Sequence, residues 1–124
     1  MSTKSLSILL VEDDPIQQRA MQSLLETMQH EVTVAKNGKE ALNKLLFPHD
    51  LILIDIGLPH DFNGIEVAKS IRKQHISTWI VAVTAHLASY SKQQCLASGM
   101  NDFMTKPITS EKILQITKKR KAQH

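Results

Sequence analysis

The sequence is poor in cysteine, in aromatic residues and in long apolar runs. Its 124 residues include one cysteine, Cys95, so no disulfide can form within the chain and a reducing compartment is favoured. No apolar run approaches the ~18 residues of a membrane-spanning helix, and the first residues do not resemble a signal peptide. The composition, 42% hydrophobic and 22% charged, is globular and excludes disorder and collagen-like fibres. We therefore expect a cytoplasmic protein with no membrane insertion by this segment.

Positive charge is concentrated at the C-terminal end. The formal net charge is +3, and the run Lys118-Lys119-Arg120-Lys121 accounts for this excess. Cations at the end of a last helix suit its dipole. The alternative is a nucleic-acid or anionic-lipid patch, but no aromatic residues are interleaved with these cations. We interpret residues 118–124 as the basic end of a single domain, 1–124, that binds no nucleic acid.

Short apolar runs typical of buried strands alternate with stretches of helical spacing. The predicted strands are residues 6–11, a segment marked by Val32 and Val34, and residues 51–54, 79–83 and 102–105. Between them lie five predicted helices. This alternation predicts right-handed crossovers and a doubly wound, parallel α/β sheet.

Capping residues and breakers mark the predicted helices. The sequence predicts a helix with Asp14 as its N-cap and Pro15 as its first residue. The apolar stripe of this helix begins at Ile16. Asn37-Gly38 predicts a turn, and the next helical stripe, Ala41, Leu42, Leu45 and Leu46, ends before Pro48. Gly99 is a candidate left-handed C-cap, and Thr109 or Ser110 is expected to cap the last helix.

Polar residues stand where the predicted strands end. In a doubly wound sheet, ligands bind beyond the carboxyl ends of the strands. Strand one ends in Glu12-Asp13-Asp14, strand three in Asp55, strand four in Thr84 and strand five in Lys106-Pro107. Each residue alone has an ordinary interpretation as a cap or a solvated loop residue. Asp55 is the exception, because it interrupts a buried apolar run.

Together these residues fit a site for phosphoryl chemistry. Clustered carboxylates repel one another unless a hard divalent cation neutralises them, and oxygen ligands favour Mg²⁺. A carboxylate can accept a phosphoryl group and form an aspartyl phosphate. Lys106 can supply positive charge to a phosphoryl oxygen, and the Thr84 hydroxyl can supply a hydrogen bond.

The chain resembles a two-component receiver (response-regulator) domain over essentially its whole length. The resemblance rests on four motifs in the family's order: residues 8–15 with the acidic pair, residues 53–59 around Asp55, Val83-Thr84-Ala85, and Lys106-Pro107. It implies a flavodoxin-like fold with strand order 2-1-3-4-5. It further implies that Asp55 is phosphorylated with the help of Thr84 and Lys106. The implied Mg²⁺ ligands are Asp13, Asp55, the Gly57 carbonyl and, usually through water, Glu12.

The resemblance also implies a switch and a class of partner. Phosphorylation in the family draws in the residue equivalent to Thr84 and turns the aromatic at the position of Phe103 inward, which remodels the face of helix 4, strand 5 and helix 5. The amino-acid sequences of the motifs are similar to those of receiver domains inside hybrid sensor histidine kinases. The expected partner is a histidine kinase or phosphotransfer domain. The isolated domain would catalyse only its own phosphorylation and dephosphorylation, and the sequence leaves its oligomeric state open.

One departure from the family pattern lies after strand three. Residues 60–63 place one residue more than usual between Pro59 and Gly64, so this loop is expected to bulge. We interpret His60 and Asp61 as solvated loop residues, whereas His86 occupies a position that tunes phosphoryl lifetime in the family. The alternative function is a phosphorylation-independent interaction module, a pseudo-receiver. The complete set of acids, hydroxyl and lysine argues against that alternative.

Overall fold

A computed structural model describes residues 5–57, 62–85 and 92–123 of the chain. Strands and helices alternate through these residues. The strands are β1 (Ser7–Val11), β2 (Glu31–Ala35), β3 (Leu51–Asp55), β4 (Trp79–Thr84) and β5 (Asp102–Thr105). The helices are α1 (Pro15–Thr27), α2 (Gly38–Lys44), α3 (Gly64–Lys73), α4 (Lys92–Ala97) and α5 (Ser110–Gln123). None of the described helices combines the length and the apolar content needed to cross a bilayer.

The strands form one parallel sheet in the order β2-β1-β3-β4-β5, which confirms the predicted fold class. Strands β3 and β4 are buried along their whole length. Burial on both faces explains why their sequences are continuous apolar runs rather than alternating ones. Trp79 begins β4 and Thr84 ends it, so the two residues lie at opposite ends of the sheet.

Successive strand residues pack into two separate apolar clusters, one on each face of the sheet. Leu9 and its partner Ile52 face α2, α3 and α4, where they meet residues such as Val67. Leu10 and its partner Leu53 face α1 and α5. The helices therefore cover both faces, and the edge at the carboxyl ends of the strands is left for polar residues.

Most of the predicted helix ends are confirmed. The Asp14 carboxylate accepts the Ile16 backbone N–H at 3.1 Å and caps α1. Thr109 Oγ1 accepts the Lys112 N–H at 3.2 Å at the start of α5. Gly99 has a φ of 103°, the left-handed conformation expected after α4. The predicted turn at Asn37-Gly38 was wrong: Asn37 is the N-cap of α2, and its side chain accepts the Glu40 N–H at 2.8 Å.

Two apolar positions do not lie where the sequence placed them. Helix α2 ends at Lys44, because the N–H groups of Leu46 and Phe47 bond three residues back, to Asn43 and Lys44 carbonyls, and turn the chain. Leu46 consequently exposes 84% of its surface instead of extending the buried stripe. Ile16 is 78% exposed, because it lies in the first turn of α1, beyond the end of β1.

Arg72, at the end of α3, connects two segments whose proximity the sequence did not indicate. Its guanidinium donates to the carbonyls of Ile76 (2.7 Å), Thr78 (2.8 Å) and Gly99 (2.8 Å), and to Asn101 Oδ1 (2.9 Å). These acceptors belong to the α3–β4 and α4–β5 connections. The side chain therefore holds both connections against the end of α3, at the edge where the strands begin.

We expect Arg72→Met to lower the free energy of unfolding by about 2–4 kcal/mol, since methionine keeps the apolar stem but makes none of these hydrogen bonds. The matched control is the exposed neighbour Lys73→Met, which we expect to change stability by less than about 0.5 kcal/mol. Urea denaturation measures the free energy of unfolding of both variants, provided that its dependence on urea concentration is the same in each. Equal stabilities of the two variants would contradict a structural role for Arg72.

Candidate functional site

The polar residues that follow the strands meet at one edge of the sheet. The pairing of Asp55 with Val83, and of Thr84 with Thr105, aligns the carboxyl ends of β3, β4 and β5. Backbone hydrogen bonds extend this alignment past the strands: Ile56 N–H donates to Val83 O at 3.1 Å, and Lys106 N–H donates to Thr84 O at 2.8 Å. Side chains far apart in the chain are thereby fixed around one small volume.

Lys106 makes the central contact of this edge. Its ammonium Nζ lies 3.0 Å from Glu12 Oε1 and 3.4 Å from Asp55 Oδ2. The three side chains expose 18%, 1% and 11% of their surfaces, respectively. Charge-assisted hydrogen bonds between such poorly solvated groups are stronger than those at an open surface. Lys106 therefore binds the end of β5 to the ends of β1 and β3.

Three carboxylates stand close together here. Oxygen atoms of Glu12, Asp13 and Asp55 all lie within 4.8 Å of one another. Glu12 and Asp55 are buried, whereas Asp13 is exposed. One lysine does not neutralise three such acids, and the donor set consists of oxygen atoms alone. This chemistry fits a hard divalent cation better than it fits a transition metal that prefers nitrogen or sulfur ligands.

The backbone around Asp55 fixes the direction of its carboxylate. Gly57 N–H donates to Asp55 Oδ1 at 2.8 Å, while Oδ2 faces Lys106. The first residue of α3, Gly64, packs against the same backbone, since a Cβ there would lie 2.7 Å from Ile56 Cα and 2.8 Å from Asp55 O. Any larger residue at position 64 would push α3 away from the end of β3.

Burial and charge act in opposite directions on the two central groups. Burial raises the pKa of Glu12 to about 7, although hydrogen bonds from Asp14 N–H and Lys106 favour the ionised form. Burial alone favours the neutral form of Lys106. The hydrogen bond to Glu12 and the charge of Asp55 outweigh that effect and raise the pKa of the ammonium.

Thr84 and Phe103, predicted as the switch pair, lie on adjacent strands next to this edge. Thr84 is buried at the end of β4. Phe103 is half-buried on β5, opposite Ala82, and packs against the cluster on the α2, α3 and α4 face. Lys92 Nζ, at the start of α4, lies 5.7 Å from the centroid of the Phe103 ring. The ring therefore joins β5 to α4.

Two supporting residues were missed by the sequence analysis. Lys112, on α5, donates to the carbonyls of Thr105 (2.8 Å) and Pro107 (2.9 Å) and so holds the turn that carries Lys106. Gln18, on α1, donates its side-chain amide to the Glu12 carbonyl. Neither residue has a local sequence signal, because its acceptors are backbone carbonyls. The predictions for His60, Asp61 and His86 fall outside the described residues.

Comparisons with known proteins agree with this geometry. A family model described as "Response regulator receiver domain" matches residues 8–118. The chain is 33% identical over 111 residues to the sensor histidine kinase RcsC of Escherichia coli, in a match that covers 89% of this chain and 12% of RcsC. It is 34% identical over 125 residues to the sensor histidine kinase GacS of Pseudomonas protegens, in a match that covers 96% of this chain and 14% of GacS. The chain thus spans a small fraction of these relatives.

Solved structures show the same similarity. The receiver domain of sensor histidine kinase PA1611 of Pseudomonas aeruginosa, with a magnesium ion coordinated in its active-site cleft, has a TM-score of 0.83 at 30% identity, covering 94% of this chain and 97% of that one. The receiver domain of Ssk1 of Saccharomyces cerevisiae, crystallised with the phosphotransfer protein Ypd1, has a TM-score of 0.78 at 34% identity, covering 93% and 86%.

The raised pKa of Glu12 predicts a pH dependence of stability. Because the pKa of this carboxyl rises from 4.5 to about 7 on folding, the native state binds the proton more tightly than the unfolded state does. Protonation therefore stabilises the fold, and this stabilisation is lost as the pH rises towards 7. Relative to the neutral isostere Glu12→Gln, the wild-type free energy of unfolding should fall by about 2–3 kcal/mol across this interval in the presence of chelator. Denaturation at several pH values measures the difference, and parallel pH profiles would contradict it.

Proposed function

This chain belongs to the response regulator receiver domain family, and from that membership we propose that it is a phosphoacceptor domain in which Asp55 takes a phosphoryl group from a phosphohistidine. One observation carries the proposal. Lys106 Nζ lies within hydrogen-bonding distance of both Glu12 and Asp55, beside a cluster of three carboxylates. This arrangement provides a nucleophile, a fixed cation and oxygen ligands at one buried edge.

Each residue of the edge has a role in the proposed transfer. Asp55 is the nucleophile, and the proposed Mg²⁺ ligands are Asp13, Asp55, the Gly57 carbonyl and, through water, Glu12. Bound Mg²⁺ would supply positive charge to the phosphoryl oxygens. Lys106 supplies a second cation to one of those oxygens, and the Thr84 hydroxyl donates a hydrogen bond to another. Gly57 N–H, at 2.8 Å from Asp55 Oδ1, keeps the carboxylate in one orientation.

The proposed step balances as a simple displacement at phosphorus. An Asp55 carboxylate oxygen forms a bond to phosphorus as the P–N bond of the phosphohistidine breaks. The electron pair of that bond returns to the imidazole nitrogen, and because the other ring nitrogen of the phosphohistidine carries a proton, the group that leaves is a neutral imidazole. The carboxylate of Asp55 carries one negative charge before the transfer, and the aspartyl phosphate carries about two negative charges after it. The added charge favours closer contact of Lys106 with the phosphoryl oxygens.

The comparisons support a context for this domain. Similarity to RcsC and GacS supports a receiver within, or working with, a hybrid sensor histidine kinase, and residues 1–124 would form one domain of such a system. The complex of Ypd1 with the similar receiver of Ssk1 supports a histidine phosphotransfer protein as the donor or acceptor. A cytoplasmic location is part of the proposal. The alternative, a pseudo-receiver that only binds partners, lacks support because none of the required side chains is replaced.

The first test is covalent labelling of Asp55. With acetyl phosphate and Mg²⁺, intact-mass measurement should detect one added phosphoryl group on the wild type and none on Asp55→Asn, and chelator should abolish labelling. Asp14→Asn is the matched control: it removes an acid from the same edge but keeps a good N-cap, so it should label normally. Labelling that persists in Asp55→Asn, or never occurs in the wild type, would favour the pseudo-receiver.

The second test concerns the proposed switch. We propose that phosphorylation moves Thr84 towards the phosphoryl group and Phe103 inward behind it, which remodels the face formed by α4, β5 and α5. Backbone amide shifts after addition of beryllium fluoride and Mg²⁺ should therefore extend over this face in the wild type. In Phe103→Leu, which keeps an apolar side chain but loses the ring, shifts on α4 should shrink several-fold while those at Asp55 remain. Trp79, at the opposite end of β4, should hardly respond. Wild-type shifts confined to the acidic edge would refute the switch.

A further inference from the structure

Lys112, in the first turn of α5, bonds the backbone on both sides of Lys106. Its ammonium donates to Thr105 O at 2.8 Å and to Pro107 O at 2.9 Å, and it lies 3.4 Å from Thr105 Oγ1. An ammonium has three N–H donors, so these acceptors use all of them. Among the described residues, no carboxylate forms an ion pair with Lys112. The side chain therefore acts on the turn at residues 105–107, which has Lys106 at its centre.

The start of α5 holds the backbone of Lys112 in place. The Lys112 N–H donates to Thr109 Oγ1 at 3.2 Å, and the next residue, Ile113, is completely buried in the apolar cluster on the α1 and α5 face of the sheet. Ile116, about one turn further along, is buried in the same cluster. Close-packed apolar contacts of this kind resist displacement. Lys112 consequently joins the turn to a firmly packed helix.

The peptide group between Thr105 and Lys106 is bonded at both ends. Its N–H, which belongs to Lys106, donates to Thr84 O at 2.8 Å, and its carbonyl, which belongs to Thr105, accepts from Lys112. A peptide group is planar, so two such bonds leave it little freedom to rotate. Because the Cα atom of Lys106 lies in this plane, the same bonds limit the direction in which the Lys106 side chain leaves the backbone.

The contacts of Lys106 require such a fixed direction. Its Nζ lies 3.0 Å from Glu12 Oε1 but 3.4 Å from Asp55 Oδ2, which is long for a hydrogen bond. A displacement of about 1 Å would break the contact with Asp55. An error of about 1 Å in the position of a reacting group can lower a rate by about a hundredfold. The long, flexible stem of lysine magnifies any rotation of the turn at its ammonium.

We propose that Lys112 is a positioning residue for phosphoryl transfer, a role that rests on the function proposed above for Asp55. By holding the carbonyls of Thr105 and Pro107, it keeps the ammonium of Lys106 within reach of Asp55 and of the incoming phosphoryl group. Lys112 is not itself a catalytic residue, because its three N–H donors are occupied by the turn. Without Lys112, Lys106 would keep its charge but lose its fixed position.

The rate of labelling by acetyl phosphate and Mg²⁺ tests this role. Lys112→Met keeps an apolar stem but makes none of these hydrogen bonds, so its rate constant should be at least about tenfold below that of the wild type. Lys112→Arg keeps N–H donors for both carbonyls and should restore most of the rate. The matched control is Lys118→Met, which removes an exposed lysine from the same helix and should label at the wild-type rate.

The affinity for Mg²⁺, followed through the amide resonances of the acidic edge, separates positioning from general damage to the site. The hydrogen bonds of the Lys112 ammonium include no proposed Mg²⁺ ligand. Lys112→Met should therefore bind Mg²⁺ at least as tightly as the wild type does, because a displaced Lys106 ammonium no longer competes for the carboxylates. A labelling rate that falls together with the Mg²⁺ affinity would give Lys112 a general structural role and overturn the proposal.

A second measurement does not depend on phosphorylation. Trace acetylation with acetic anhydride, read by peptide mass spectrometry, compares the reactivity of Lys106 with that of exposed Lys118 in the same molecule. The Lys106 side chain is 18% exposed and its ammonium is bonded to two carboxylates, so it should react slowly in the wild type. Lys112→Met should raise the ratio of Lys106 to Lys118 acetylation several-fold, whereas Lys112→Arg should not. The buried Cys95 thiol reports opening of the whole fold and should react equally slowly with a thiol reagent in every variant.

Several results would overturn the proposal. These are an unchanged labelling rate in Lys112→Met, an equal loss of rate in Lys118→Met, or no recovery in Lys112→Arg. A Lys106 reactivity that stays constant in Lys112→Met, or that rises only in proportion to that of Cys95, would also overturn it. Absence of labelling in the wild type would instead contradict the function proposed for Asp55, and the acetylation ratio would still show whether Lys112 positions Lys106.

Discussion

The contact of Lys106 with Glu12 and Asp55 is the interaction on which the acidic edge depends. Glu12 is almost fully buried, and oxygen atoms of three carboxylates lie within 4.8 Å of one another, so without a cation they would repel strongly. The ammonium that offsets this repulsion comes from a residue 94 positions further along the chain than Glu12. The turn after β5 must therefore be in place before the acids of β1 and β3 can be ionised side by side. Lys112 supports that turn from α5, which extends the dependence to the last helix.

The parallel sheet also explains where the acids of the site and the cations of the helix ends lie. The carboxyl ends of the strands lie at one edge of the sheet, where acidic residues stand at the ends of β1 and β3. Helices return to the opposite edge, and the last turns of α2, α3 and α5 carry cations, which suit the negative end of the helix dipole: Lys44, Lys73 and the basic residues of α5. The positions of these acids and cations therefore follow from the topology of the sheet together with the charge preferences of helix ends.

The sequence predicted those features whose signal is local. Apolar runs interrupted by acids indicated the strand ends and the place of Asp55, and capping residues such as Asp14 and Thr109 indicated helix starts. Features that depend on distant contacts were not predictable. The acceptors of Arg72 are mostly backbone carbonyls, which every residue type has, so the sequence does not indicate them. Helix α2 ends early because of tight turns that the spacing of apolar residues did not indicate. The metal-binding role of Gly57 and the switch roles of Thr84 and Phe103 came from family resemblance and stay predictions, because position alone does not establish chemistry.

The geometry of Lys106 also bears on the nucleophile role that we propose for Asp55, since an ion pair with an ammonium lowers the reactivity of a carboxylate. An ammonium that holds Asp55 tightly would stabilise its ground state and slow attack on phosphorus. The two contacts of Lys106 are unequal, however: Nζ lies 3.0 Å from Glu12 and 3.4 Å from Asp55. Lys106 can therefore keep its shorter contact with Glu12 while its longer one shifts from the Asp55 oxygen to a phosphoryl oxygen. Gly57 N–H donates to the other Asp55 oxygen and so fixes the direction of the carboxylate for the proposed attack. In the proposed transfer, Glu12 would hold Lys106 in place while the ammonium changes its second partner from Asp55 to the phosphoryl group.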